Sequence, residues 1–144
     1  MNSLEQLERV DLLQGVMEKL PQVDLPLVHR FTPGLYSREI HMPKGTLVIS
    51  KIHKTEHQFI VSRGAVTVWD EKNGITHLQA PFAGVTTPGT RRVLYINDDC
   101  VWTTFHPTTE TNIEQLEAML VDTRKIDLPM DSAMIKAITG GTSV

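Results

Sequence analysis

Gly45 to Gly64 reads GTLVISKIHKTEHQFIVSRG, and this stretch decides the fold. Two apolar runs, LVISKI and HQFIVS, are rich in the branched and aromatic side chains that fill pleated surfaces, so each is predicted to be a strand. A polar corner, His53-Lys54-Thr55-Glu56-His57, separates them. Side chains alternate along a strand. Leu47, Ile49, Lys51 and His53 therefore share one face, and His57, Phe59 and Val61 share one face of the next strand. Two imidazoles and an ammonium are expected at the end of a strand pair, above an apolar floor. Such a group can hold a metal or an anion.

Outward from this centre the chain reads as strands and turns. LYSREIHM alternates, with Tyr36, Arg38, Ile40 and Met42 on one face, and Thr32-Pro33-Gly34 precedes it as a turn. Gln22 to Arg30 is punctuated by proline and reads as a connector. AVTVWD is predicted as a strand after Gly64. Glu71-Lys72-Asn73-Gly74 closes a hairpin onto ITHLQAP, because Asn-Gly suits the positive φ of a tight turn. FAGVTTPG reads as a bend and loop. RRVLYIN and CVWTTFHP are expected to form a second hairpin around Asp98-Asp99. Many short strands without βαβ spacing give an all-β sandwich or small barrel.

Helices flank the strands. Ser3 and Gln6 make a capping box, and Leu7, Val10, Leu13, Met17 and Leu20 recur at helical spacing until Pro21. Thr111 with Glu114 is read as the cap of a second helix, with Ile113, Leu116, Met119 and Leu120 as its stripe. A third is expected from Asp131 to Ile138.

The stretch Gly45 to Gly64 resembles the first motif of the cupins, G-x5-H-x-H-x3-4-E-x6-G. Gly64 matches the final glycine, and His57 takes the place of the family's Glu. His53 matches the second His, and Lys51 stands where the first belongs. The second motif, G-x5-P-x-G-x2-H-x3-N, is echoed by Gly84 to Arg92, with the Pro88-Gly89 turn present and arginines in place of the His. The next strand His is His106. The resemblance covers 31–107 and implies a cupin-type small β-barrel, a double-stranded β-helix or jelly roll. The chain is thus expected to be one cupin-like domain over 1–144, with an N-terminal helix over 1–21, the barrel over 31–107 and C-terminal helices over 111–139. The pattern from TPGLYSREI through PGTRRVLY to VWTTFHP also resembles cupin-like proteins encoded by bacteriophages.

Three uses of the site compete. In the first, His53, His57 and His106 hold a divalent metal such as Zn, Fe, Ni or Mn. Against it, Lys51 would set an ammonium beside the cation, and no acidic ligand is present. In the second, Arg38, Lys51 and one of Arg91 and Arg92 meet the three imidazoles and bind an anion, since Arg offers phosphate a planar fork and Lys a point charge. Alternation allows only one of Arg91 and Arg92 to point inward. Trp69, Trp102, Tyr36 and Phe59 are candidates for a stacking wall. The third use is structural or assembly only. The second is favoured: a non-enzymatic binding protein without a cofactor, holding a small anionic ligand through Arg38, Lys51, His53, His57, Arg91, Arg92, Trp102 and His106. The phage resemblance implies a nucleotide-derived immune signal as that ligand. The alternatives are a metal-dependent cupin isomerase or dioxygenase and a phage structural component. His29, His41 and His77 carry no expectation, and Glu56 is placed on the opposite face from His57 or in the corner.

The remaining bounds are broad. The 144 residues suit one domain with a real core. A formal net charge of -3 gives no pull towards a nucleic-acid polymer or a membrane surface. A single cysteine, Cys100, excludes an internal disulfide framework, and its apolar setting predicts a buried thiol. No signal peptide or apolar run of spanning length is read, so a cytoplasmic location is expected, in the host if phage-encoded. Two apolar helical stripes on a small barrel predict a homo-oligomer.

Overall fold

The computed structural model describes residues 25–50 and 52–122. The helices expected over 1–21 and 131–138, and Lys51, lie outside the described residues. Within them the order is β1 (Leu27–Thr32), β2 (Leu35–Met42), β3 (Leu47–Ile49), β4 (Ile52–His53), β5 (His57–Asp70), β6 (Gly74–Gln79), β7 (Phe82–Thr86), β8 (Val93–Pro107), α1 (Ile113–Leu120) and β9 (Val121–Asp122). Every pairing is antiparallel. No described helix is long and apolar enough to cross a membrane.

Two long strands organise the fold. The first half of β5 lies between β7 and the second half of β8, and β2 and then β1 extend that layer. The second half of β5 lies between β6 and the first half of β8, which β3 extends. Both layers therefore share one bent strand pair. Between Val61 and Val66 the ladder slips, with Val61 opposite Trp102 and Val66 opposite Ile96, so five steps of β5 face six of β8. The odd step count reverses which residues point inward. His57, Phe59 and Val61 are buried before it, and Val66 and Val68 after it. The inner faces meet in a core of Met42, Phe59, Val61, Val66, Val68, Leu94, Ile96, Cys100 and Trp102.

Gly64 makes the slip sterically feasible. Its φ is +90°, and a Cβ there would collide with the backbone of Asp98 and Asp99 on β8. The expected break between HQFIVS and AVTVWD is thus a bulge within one strand. The hairpin expected around Asp98-Asp99 is likewise the bend in continuous β8. The Asn73-Gly74 hairpin forms as read, with the Asp70 carboxylate accepting from the Lys72 and Asn73 amides at 2.9 and 2.8 Å.

Other expectations are corrected. LVISKI does not pair with HQFIVS: β3 pairs with β8, and β4 with β9. The proline-bearing connector contains most of β1, which forms a hairpin with β2. FAGVT is a strand, β7, and not a loop. Asn112, not Thr111, caps α1, accepting from the Gln115 amide at 3.0 Å. Of the stripe read for this helix, Leu116 is buried while Ile113 and Met119 are exposed. Among the described residues the ladders form an open seven-stranded sheet plus the β4–β9 pair, without closing into a barrel.

Candidate functional site

The register of β2 on β8 sets the site's polarity. Tyr36 lies opposite His106, Arg38 opposite Thr104, Ile40 opposite Trp102 and Met42 opposite Cys100. β5 adds Phe59 opposite Thr104 and Val61 opposite Trp102. Going inward, the chemistry passes from polar to apolar in four rungs. At the polar end, β7 sets Thr86 opposite His57.

A cavity of about 190 Å³ lies between these layers. Arg38, His53, His57, Thr86, Arg92 and Thr104 line its polar part, and Ile40, Met42, Val48, Leu94 and Trp102 its apolar part. A smaller hollow of about 40 Å³ adjoins it and shares Arg38, His53, Thr104 and Val121. Tyr36, His106 and the α1 residues Leu116, Glu117 and Leu120 also line that hollow, so α1 and β9 cover the polar end. The Lys54 amide ties the cover down by donating to the Leu120 carbonyl at 2.8 Å, and Lys54 Nζ donates to the Ala118 carbonyl at 3.1 Å.

The three expected imidazoles cluster. Ring centroids are 4.7 Å apart for His53 and His57 and 4.4 Å for His57 and His106. His57 Nδ1 donates to the Thr55 carbonyl at 3.1 Å, which leaves Nε2 as an acceptor, buried and without a partner. His53 Nδ1 and His106 Nδ1 are also buried without partners, while His106 Nε2 bonds Thr104 Oγ1 at 3.0 Å. Burial chiefly pushes His53 down to about 3, aided by His57, Arg92, His106 and Arg38. Burial, then His57 and Arg38, push His106 down to about 4. His57 is lowered by burial, with its bond to Thr55 opposing. All three are neutral at neutral pH.

The arginines divide. Arg92 lines the cavity, and its Nη1 donates to Thr86 Oγ1 at 2.8 Å. Its guanidinium lies over Phe59 and Trp102, 5.0 and 5.8 Å from the ring centroids. Burial lowers its pKa, with Asp70 opposing. Arg91 is buried outside the cavity lining, with Nε donating to the Ser50 carbonyl at 3.3 Å. Neither residue belongs to β8, which begins at Val93, so strand alternation does not govern them. Among the described residues no carboxylate lies within ion-pair distance of Arg38 or Arg92.

The stacking wall is already occupied. Phe59 and Trp102 stack on each other at 4.5 Å, with Arg92 over both, and Trp69 is buried outside the cavity lining. Thr86 and Thr104, which orient Arg92 and His106, carried no signal in the sequence, since a strand threonine is common in any sheet. Outside the site, His29 Nδ1 bonds the Tyr36 hydroxyl at 2.6 Å, and burial pushes the Cys100 thiol up to about 11.

No family profile matches the sequence, and no curated protein does. Solved structures do match, in 218 chains. Salicylate 1,2-dioxygenase from Pseudaminobacter salicylatoxidans aligns with a TM-score of 0.54 at 14% identity, covering 81% of this chain and 35% of that one. The Schizosaccharomyces pombe Cnp3 cupin domain gives 0.50 at 13% identity over 74% of each chain. The fold is cupin-type. A cupin superfamily protein from Desulfitobacterium hafniense gives 0.50 at 4% identity, covering 62% of this chain and 82% of that one. These similarities concern the fold; the cupin neighbours include a dioxygenase beside domains named only for their architecture.

A metal would need three donors that converge on one point. Among the described residues no such group of His, Cys, Asp or Glu exists. The carboxylate in the adjoining hollow, Glu117, does not complete such a group with His53 and His106, and Arg38 and Arg92 line the main cavity beside the imidazoles. The donor set as folded does not fit a divalent cation.

Proposed function

We propose that this cupin-type chain is a binding protein for a small anion, held at the polar end of the cavity by Arg38 and Arg92. The observation that carries the proposal is Arg92. A guanidinium held half out of water favours a partner; among the described residues no carboxylate lies within ion-pair distance, and Asp70 acts on it only from further away. Thr86 occupies one of its donors, and the rest can meet an anion as a fork. Neutral His53 and His106 each have one N–H available to donate, without the charge that would hold an anion indiscriminately, whereas His57 spends its own on Thr55.

The resemblance to phage-encoded cupin-like proteins suggests a nucleotide-derived signal of antiviral defence, which the protein would sequester intact. In that version the phosphate takes the two arginines. The cavity is small for a whole nucleotide, since sites for larger ligands span roughly 300–1,000 Å³, so the remainder would extend past α1.

The test is calorimetry on wild type, Arg92→Ala and the exposed control Arg63→Ala, against inorganic phosphate, nucleotides and small carboxylates. Losing a desolvated charge partner costs about 2–5 kcal/mol, or roughly 30-fold to several thousand-fold in affinity. Arg92→Ala should lose binding by that factor and Arg63→Ala should not. Binding should weaken as salt rises, and the ligand should be recovered unchanged. A converted product, or equal affinity in all three proteins, defeats the proposal.

A further inference from the structure

The cavity is polar at one end only, and this polarity constrains the ligand beyond its charge. Below the Arg38–Thr104 rung, the next rungs are Ile40 with Trp102 and Met42 with Cys100. Val48 and Leu94 close the same region, and Leu94 is buried beside Ile96 and Val68 in the core. The lining of this deep part therefore consists of hydrocarbon, thioether and indole. The edge of a nucleobase carries several donors and acceptors, and burying them here unpaired is costly. A sugar carries the same penalty in its hydroxyls.

Size narrows the class further. A cavity of about 150 Å³ lined by aliphatic and aromatic groups holds one benzene. The present cavity, about 190 Å³, exceeds that by a small head group. We propose that the ligand is a small amphipathic organic acid, with a carboxylate at Arg38 and Arg92 and a single-ring or branched aliphatic body packed against Ile40, Met42, Val48 and Leu94. This rests on the anion-binding reading and names the chemical class it would take. The head lies under α1 and β9, and the body points into the core.

The arrangement discriminates in two directions. A short acid such as acetate satisfies the arginines and leaves the deep part unfilled. A neutral molecule with the same body fills the deep part and leaves the half-buried Arg92 without an ion-pair partner among the described residues. Each buried methylene contributes roughly fourfold in affinity, so a ring outweighs a methyl by a large factor.

The test is calorimetry on the full chain with benzoate, 3-methylbutanoate, acetate, benzyl alcohol, inorganic phosphate and adenosine monophosphate. Benzoate or 3-methylbutanoate should bind one per chain and at least thirtyfold more tightly than acetate, benzyl alcohol or phosphate. Val48→Phe, which fills the deep part from β3, should remove that preference. Ile40→Phe serves the same purpose if the first variant fails to fold, as judged by circular dichroism. Phosphate or the nucleotide binding through Arg92, with both apolar acids silent, overturns the organic-acid class and leaves the anion reading standing. Benzoate binding that Val48→Phe and Ile40→Phe leave intact overturns the deep placement. Silence across all six compounds overturns both the class and the reading beneath it.

Discussion

Replacing Gly64 with alanine tests the feature on which both layers depend. At φ +90° an L-residue is strained, and the added Cβ would meet the Asp98 and Asp99 backbone. The left-handed conformation costs about 1–2 kcal/mol. Forcing two paired backbones apart in a packed sheet adds about 1–3 kcal/mol. Loss of glycine's unfolded-state freedom returns about 0.4–1 kcal/mol. The net destabilisation is about 2–4 kcal/mol, a large share of the roughly 5–15 kcal/mol that holds a domain folded. Gly45 is the matched control, because its φ is +86° and nothing lies within 4 Å of the position a Cβ would take. Gly45→Ala carries the strain without the collision and should cost about 1 kcal/mol or less. In urea, with a slope of about 2 kcal/mol per molar, Gly64→Ala should lower the midpoint by about 1–2 M, and Gly45→Ala by well under 1 M. Equal shifts for the two variants would show that β5 and β8 do not approach at Gly64, and would refute the continuous bent pair.

The histidine cluster predicts acid sensitivity: unfolded imidazoles take protons below about 6.5, while His53 and His106 resist until about 3 and 4, so their contribution is full above 6.5 and is lost as pH falls. Urea midpoints should drop from pH 7.5 to 4.5, less steeply in His106→Gln, and an equal slope in that variant counts against the cluster. Arg91→Ala should lower the urea midpoint, because Arg91 is buried with its Nε on the Ser50 carbonyl, whereas an unchanged midpoint would mean a solvated side chain. Purified without added metal, the protein should carry no stoichiometric transition metal; elemental analysis finding near one Zn, Fe, Ni or Mn per chain, lost in His53→Ala, would reinstate the metal-dependent enzyme.

Local chemistry settled much of this molecule. Alternation placed Tyr36, Arg38, Ile40 and Met42 on one face, and they line the two hollows between them. Asn73-Gly74 specified its hairpin, because a tight reversal needs positive φ and little else. The sequence also marked His53, His57 and His106 as a set, although a corner brings the first two together and not a strand pair. Tertiary structure alone decided the continuity of β5 and β8. Gly64 and Asp98-Asp99 have the residue types of chain reversals, and whether such residues reverse a strand or only bend it depends on what lies across the ladder. Here each lies across from the other, 34 or 35 positions away in the chain. The choice between Arg91 and Arg92 has the same origin. Both stand before β8 begins, beyond the reach of alternation, and Thr86 and Ser50 from other strands and loops direct them. Periodicity records only which way neighbours along one strand point; the partner that receives a side chain is fixed when distant segments pack.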